Sequence, residues 1–334
     1  MSRVHDGCEV LCIGETMVMV TPAEPGRLDA RTPMILSPGG AESNVAVHLA
    51  SLGHRVAWAG QVGRDPFGDL ILEELQARRV ETSLTVRVSE APTGVFFKDP
   101  SADKTSVYYY RAGSAASRMS RAMVPAWSAA RAEIVHVSGI TAALSAQCRD
   151  LMRHLIHDRP LTGKISFDVN HRPTLGSDDT PDILLELAQK SDIVFVGRDE
   201  AEVLWGTRTA SSVRALLDKP THLIVKDAEV EAVEFVGSDI VKAPSRRVSV
   251  VDAVGAGDAF AAGWLSAYLK RLPPERRLAS GHDLAARVLT STTDYANPGT
   301  SEGAIPAGGR GGHDHHNKQE DPWTRRTSLP PISP

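Results

Sequence analysis

The sequence predicts an α/β protein: a mostly parallel central sheet with helices on both faces, and a small second sheet inserted into it. Three observations lead there. Short β-branched runs alternate with helical patterns over roughly 200 residues, the pattern of a parallel sheet with crossover helices. One stretch, residues 84–111, breaks the alternation with consecutive strand-like runs. Near residue 255 a β-branched run leads through a tight glycine loop into a helix. In open α/β sheets ligands bind outside the carboxyl ends of the strands, so those ends are where chemistry is sought.

Taken in order, Glu9–Ile13 reads as the first strand and Gly39–Leu52 contains a helix. Val56–Gly60 is a strand, followed by a helix over Phe67–Arg79. Ile134–Ser138, Ile165–Asn170, Ile193–Gly197 and Leu223–Lys226 are further short strands. The interrupting runs are Leu84–Arg87, Gly94–Lys98 and Ser106–Arg111, the last two joined by the turn Pro100-Ser101-Ala102-Asp103. Their aromatics, Phe96, Phe97, Tyr108, Tyr109 and Tyr110, need a surface to cover, either a second core, a dimer contact or a site beneath a lid. From Gly303 the chain turns rich in Gly, Pro and polar residues, and such a segment cannot bury enough surface to offset its ordering entropy. The expected division is a domain over 1–302 and a disordered tail over 303–334. His313, His315 and His316 in that tail are weak candidates for a transition metal.

Composition narrows the function. The 334 residues are 42% hydrophobic and 23% charged, and 37 basic against 41 acidic side chains give a net charge of −4. No strongly basic region exists to meet nucleic acid. Three cysteines without CxxC spacing fit a reduced compartment rather than a disulfide framework. No apolar run reaches the roughly 18 residues of a membrane span, and no cleavage-site pattern marks a signal peptide. A cytoplasmic protein that handles a small ligand is the expectation.

The strongest signal is Val250-Val251-Asp252-Ala253-Val254-Gly255-Ala256-Gly257-Asp258, continuing into a helix with Phe260, Trp264 and Ala267 on one face. Strand, glycine loop and helix start aim backbone N–H groups and the positive end of the helix dipole at one point, which suits a transferred phosphoryl group. Asp258 sits at its mouth, where the dipole is expected to favour the carboxylate and where it is placed to take a proton from an attacking hydroxyl. An Asp at a helix start also serves as a plain cap. Position 260 is Phe, which disfavours the dinucleotide fingerprint, and no Gly-Lys-Ser/Thr triplet marks a Walker loop. A second glycine pair, Gly39-Gly40, opens a helix whose first turn carries Asn44, a donor and acceptor for sugar hydroxyls or an ordinary cap-region residue.

Together, Gly39-Gly40…Asn44 and Asp252…Gly255-Ala256-Gly257-Asp258 resemble the two signatures of the ribokinase/PfkB carbohydrate kinase family, over about residues 9–300. Within it, Gly14-Glu15-Thr16-Met17, Pro92-Thr93-Gly94, Tyr109–Ser117, Ser138-Gly139-Ile140 and Phe167-Asp168-Val169-Asn170-His171-Arg172-Pro173 are similar to 2-keto-3-deoxygluconate kinases. The resemblance implies a ribokinase-like three-layer α/β/α sandwich with a small β-sheet lid, mainly within 84–112 with part of 16–38. It implies ATP, Mg²⁺ and, as a further candidate, a monovalent cation. It implies transfer to a primary hydroxyl of a sugar acid, and a homo-oligomer formed through the lid, with no nucleic-acid or membrane partner.

Residue by residue, Asp258 matches the family's base, and Gly255, Ala256 and Gly257 its anion hole. Gly39, Gly40 and Asn44 match the sugar loop, while Phe96, Tyr109 and Arg111 match lid positions that meet the substrate. Arg172 matches the arginine over the phosphate path. Two arginines suit an anionic substrate and a charged transition state. Lys226 and Asp227 open the nucleotide-side turn, and Glu200 matches the acid that tunes magnesium through water, although a Glu so placed is also favourable as a plain helix-start residue. Gly197 stands where the family has Asn, Phe96 where the branch has Tyr, and Ala228 and Glu231 where the turn has glycines, so that turn is expected to be reshaped. The C-terminal elements that frame adenine are expected to be short. A kinase of a neutral sugar such as fructose or ribose, or a sugar-binding member with impaired catalysis, are the alternatives.

Overall fold

In the computed structural model, residues 7–24, 29–100, 105–250 and 253–290 are described. The 303–334 tail with its three histidines, the elements expected to frame adenine, the turn residues Ser101–Asp103 and Asp252 of the glycine motif lie outside them.

Among the described residues, strands run in the order β1 (Val10–Ile13), β2 (Met17–Pro22), β3 (Met34–Gly39), β4 (Val56–Ala59), β5 (Gln61–Gly63), β6 (Val86–Val88), β7 (Val95–Pro100), β8 (Thr105–Tyr110), β9 (Ile134–Ser138), β10 (Lys164–Asp168), β11 (Ile193–Gly197), β12 (His222–Asp227), β13 (Glu231–Val236) and β14 (Asp239–Pro244). The central sheet has the order β14-β13-β12-β11-β10-β9-β1-β4, parallel from β12 to β4. The antiparallel hairpin β13–β14 at its edge is not anticipated by the sequence pattern.

Both faces of this sheet are buried, and period-two alternation divides its side chains between two cores. Leu11, Ile13, Val135, Val137, Phe167, Val194 and Val225 enter one. Val10, Cys12, Trp58, Ile134, Phe195 and Ile224 enter the other, against Trp264 of the helix Ala256–Leu269. The result is the expected three-layer α/β/α sandwich. Helix starts follow local chemistry: Asp65 accepts a hydrogen bond from Gly68 N at 2.8 Å and Pro66 stands at the first helical position, so this helix spans Pro66–Ala77.

The lid is a four-stranded sheet, β3-β2-β7-β8. Leu84–Arg87 does not join it, contrary to expectation. The strand there is Val86–Val88, and it pairs in parallel with β5 in a separate two-stranded sheet. The lid aromatics also divide by face. Phe96 is buried opposite Tyr109, whereas Phe97, Tyr108 and Tyr110 are exposed on the other side.

The turn at 228–231 closes a tight hairpin. Asp227 pairs with Glu231 across the β12–β13 hairpin, and Val230 N donates to Asp227 O at 2.8 Å. Ala228 takes the left-handed conformation, φ 38°, that a glycine adopts without strain. Ala228→Gly is therefore expected to stabilise the fold by about 0.5–1 kcal/mol. A higher urea midpoint at unchanged slope is the result that checks it.

Candidate active site

At the carboxyl ends of the central strands, beneath the lid, lies a cleft of about 500 Å³. Its floor is the glycine motif. Gly255 is the residue before the helix, and its φ of 81° explains why glycine stands there. Gly255, Gly257 and Asp258 line the cleft. Ala256 does not line it, and its amide points at Ala253 O, 3.4 Å away, so of the expected anion-hole trio the two glycines face the space. The first turn of a helix has no intrahelical acceptors for its amides, which is what makes this end attractive to an anion.

Asp258 is 9% exposed. Its Oδ2 accepts from Asn44 Nδ2 at 2.8 Å and its Oδ1 from Asn170 Nδ2 at 3.4 Å. Burial, reinforced by nearby Asp168, pushes its carboxyl up to about 7, against the opposing pull of the Asn44 amide and the Arg172 and Lys226 cations. The expectation of a carboxylate held ionised by the helix dipole is thus corrected. Desolvation is the largest influence on the group, and a carboxyl balanced near neutrality is suited to exchange a proton.

Lys226, expected on the nucleotide side, lines the same cleft. Its Nζ lies 3.2 and 3.4 Å from the two oxygens of Asp168. A Cβ built on Gly257 would be 3.6 Å from the same Nζ, so the ammonium borders the glycine turn. Burial opposes its charge most strongly, but Asp168, Glu200 and Asp258 outweigh it and hold its pKa above the ordinary value. Asp227 is not brought to the cleft; its carboxylate is taken by Arg198 at 2.8 Å.

Gly39, Gly40 and Asn44 all line the cleft. Neither glycine tolerates a side chain: a Cβ at Gly39 would meet the Phe96 ring at 2.8 Å, and one at Gly40 would meet Glu15 O at 2.3 Å. Asn44 is 4% exposed, and its amide donor is used on Asp258 while its Oδ1 has no hydrogen-bond partner among the described residues. On the lid side, Phe96, Lys98, Tyr109 and Arg111 face inward. Arg111 is buried in an ion pair with Glu15, which also accepts from Ser114 Oγ at 2.9 Å, and its guanidinium lies 5.5 Å from the Tyr109 ring centre.

Arg172 is exposed and lines the cleft, with Nη1 donating to His171 O at 3.1 Å. Glu200 lines it too, but both oxygens accept backbone amides, from Gly197 at 2.6 Å and His171 at 2.7 Å. It therefore fixes the helix start, and through the remaining lone pairs it can still order water. Among the described residues no group of three His, Cys, Asp or Glu side chains is arranged to hold a metal ion. A magnesium ion here would arrive with a nucleotide's phosphates and keep most of its waters. Among those residues, too, no helix is long and apolar enough to cross a membrane.

Sequence reasoning assigned no role to Glu15, Lys98, Asp168 or Asn170. Glu15, Asp168 and Asn170 follow or end predicted strands, so the strand-end rule pointed at them. Lys98 gave no signal, because a lysine on a lid strand looks like any solvated one until it proves buried.

Comparison with known proteins bears on the whole cleft. The family model described as pfkB family carbohydrate kinase matches residues 8–299. A 2-dehydro-3-deoxygluconokinase of Bacillus subtilis is 35% identical over 302 residues, covering 88% of this chain and 93% of that protein. A 2-dehydro-3-deoxygalactonokinase of Haloferax volcanii is 30% identical over 296 residues, covering 86% and 93%. The crystal structure of a PfkB protein from Polaromonas sp. JS666 superposes with a TM-score of 0.78 at 30% identity, over 86% of this chain and 97% of that one. With a family match that runs through both glycine loops, the lid and every strand of the central sheet, this chain belongs to the pfkB family of carbohydrate kinases.

Proposed function

We propose that the protein transfers the γ-phosphoryl group of MgATP to the terminal hydroxyl of a sugar acid, converting 2-dehydro-3-deoxygluconate (2-keto-3-deoxygluconate) to its 6-phosphate. The observation that carries this reading is the buried Asp258 carboxyl beside the Gly255–Gly257 turn, with the Lys226 ammonium at its edge. The names of the two sugar-acid kinase relatives support the choice of substrate.

Asp258 takes the proton of the sugar hydroxyl as that oxygen bonds to the γ-phosphorus. The bond from the γ-phosphorus to the bridging oxygen breaks, ADP leaves, and Asp258 releases its proton to solvent. Gly257, Lys226 and Arg172 offer positive potential where charge spreads over the transferred group, which is the main lever in phosphoryl transfer. Glu200 would hold, through water, a magnesium ion arriving with the nucleotide, which would supply charge neutralisation at the phosphates. Asn44 Oδ1, buried and unpartnered among the described residues, accepts from a sugar hydroxyl, and Phe96, Tyr109 and Lys98 close over the sugar. A monovalent cation is a further component of this reading.

In this reading the catalytic domain spans 1–302, and the reaction belongs in the cytoplasm. The outer lid face, with Phe97, Tyr108 and Tyr110 exposed beside the edge strand β8, suits pairing with a second copy.

An ADP-release assay over 2-dehydro-3-deoxygluconate, its C4 epimer, fructose and ribose tests the reading. Turnover of the two sugar acids is expected. Turnover confined to fructose or ribose moves the substrate to the neutral class, and sugar binding without nucleotide binding in calorimetry identifies a binding protein instead.

A further inference from the structure

We propose that Asn170 is a positioning residue for the base: with Asn44 it forms a two-amide clamp that fixes the direction in which the Asp258 carboxyl presents its oxygens to the sugar hydroxyl. This rests on the reading of Asp258 as the base. An aspartate carboxyl hangs from the helix through one methylene, so its direction is set by two rotatable bonds unless its oxygens are held. Here Asn44, from the first turn of the helix Ala41–Ser51, donates to Oδ2 at 2.8 Å, and Asn170, just past the end of β10, donates to Oδ1 at 3.4 Å. The two donors reach Asp258 from different layers of the fold. The longer of the two contacts is of the kind that shortens when substrate closes the site.

The backbone at Asn170 supports this. Its φ is 41°, in the left-handed region where Asn is tolerated but strained, and the residue is 7% exposed. The chain is fastened on both sides of it, by Val169 N to Phe195 O at 2.9 Å and by His171 N to Glu200 Oε1 at 2.7 Å. Were the turn all that mattered, glycine would make it at lower cost. An amide kept at a strained position and aimed at the base points to a role for the side chain.

The charges around Asp258 come from every neighbouring element. Asp168 and Lys226 stand at the strand ends, Arg172 in the loop after β10, Asp199 and Glu200 at the start of the helix Arg198–Trp205, and Glu15, Lys98 and Arg111 toward the lid. None of these changes when Asn170 is replaced by an uncharged residue, so a change in Asp258 titration reads the lost amide.

The test is Asn170→Gly, which removes the amide and relieves the backbone together. The melting temperature is expected to hold or rise. At the same time kcat/KM should fall about tenfold or more through kcat, and its acid limb should move upward by about half to one pH unit, as for a base that has lost a donor to its charged form. The Asp258 carboxyl, followed by ¹³C NMR without substrate, should titrate upward by the same amount. An unmoved titration with a wild-type acid limb overturns the clamp, as does activity lost only in step with stability. Because the NMR titration needs no turnover, it separates the two ideas: an active Asp258→Asn variant sinks the base assignment, whereas an unmoved titration sinks the clamp alone.

Discussion

Asp258→Asn is expected to lower kcat about 10³-fold with little change in sugar affinity, and at the same time to make the protein more stable above neutral pH. The two effects have one cause. Folding buries a carboxyl that water would otherwise solvate, so its pKa rises from an ordinary 3.8 to about 7. A carboxyl whose folded pKa is raised contributes most to stability below its unfolded pKa, and that contribution is lost as pH rises through the folded value. Asparagine has no proton to lose, so the variant escapes the loss. Its advantage should be near zero around pH 4 and reach roughly 2–4 kcal/mol above pH 8. Thermal melts of both proteins at those pH values, beside steady-state kinetics, check the pair of outcomes. A variant that loses activity without gaining alkaline stability would show Asp258 to be solvated in solution, and a variant that keeps its activity would remove it as the base. The wild-type rate should fall on the acid side of about pH 7 for the same reason.

How much of this was legible beforehand depends on whether a feature is local. Gly255 announces itself, because a strand, a glycine loop and a helix start follow one another within a few residues and φ 81° requires that residue type. The alternation of strands and helices likewise reveals the central sheet. What escapes is whatever depends on a distant partner. Glu15 and Arg111 are 96 positions apart, and nothing near either shows that they share a buried pair. Asp227 looks like a site residue by its neighbour Lys226, yet alternation along β12 turns the two to opposite sides and Arg198 claims it. The strand β2 lacks a clean period-two pattern because Val18 and Val20 are buried on one face while Met17 and Met19 are buried against Phe96 on the other. The raised pKa of Asp258 is hidden for a related reason: a helix start is visible in sequence, and the burial that pushes the carboxyl up is not.

The buried pair offers the second large effect. Arg111→Met removes the cation beside Glu15, whose side chain is 1% exposed while that of Arg111 is 8% exposed. Burial already pushes the Glu15 carboxyl above its ordinary value, with Arg111 and Ser114 pulling the other way. Without the guanidinium, a carboxylate remains in a place that water cannot reach, and breaking such a pair costs about 3–5 kcal/mol at neutral pH. Glu15's folded pKa is raised, so its contribution is fully present below the unfolded value and is lost as pH rises through the folded one. The deficit of Arg111→Met should therefore shrink on acidification and widen toward neutrality, which denaturant titrations across that range would read. Glu15→Gln placed in the same chain removes the stranded charge and should recover most of the lost stability, giving a large coupling between the two sites. The double variant then also decides what Arg111 is for. Arg111 Nε is buried without a partner among the described residues, a donor still open to a ligand. If stability returns and sugar-acid affinity does not, the arginine holds both Glu15 and the substrate. If both return, its role is to close the lid's ion pair, and the recognition of the acid falls to Lys98 and Arg172.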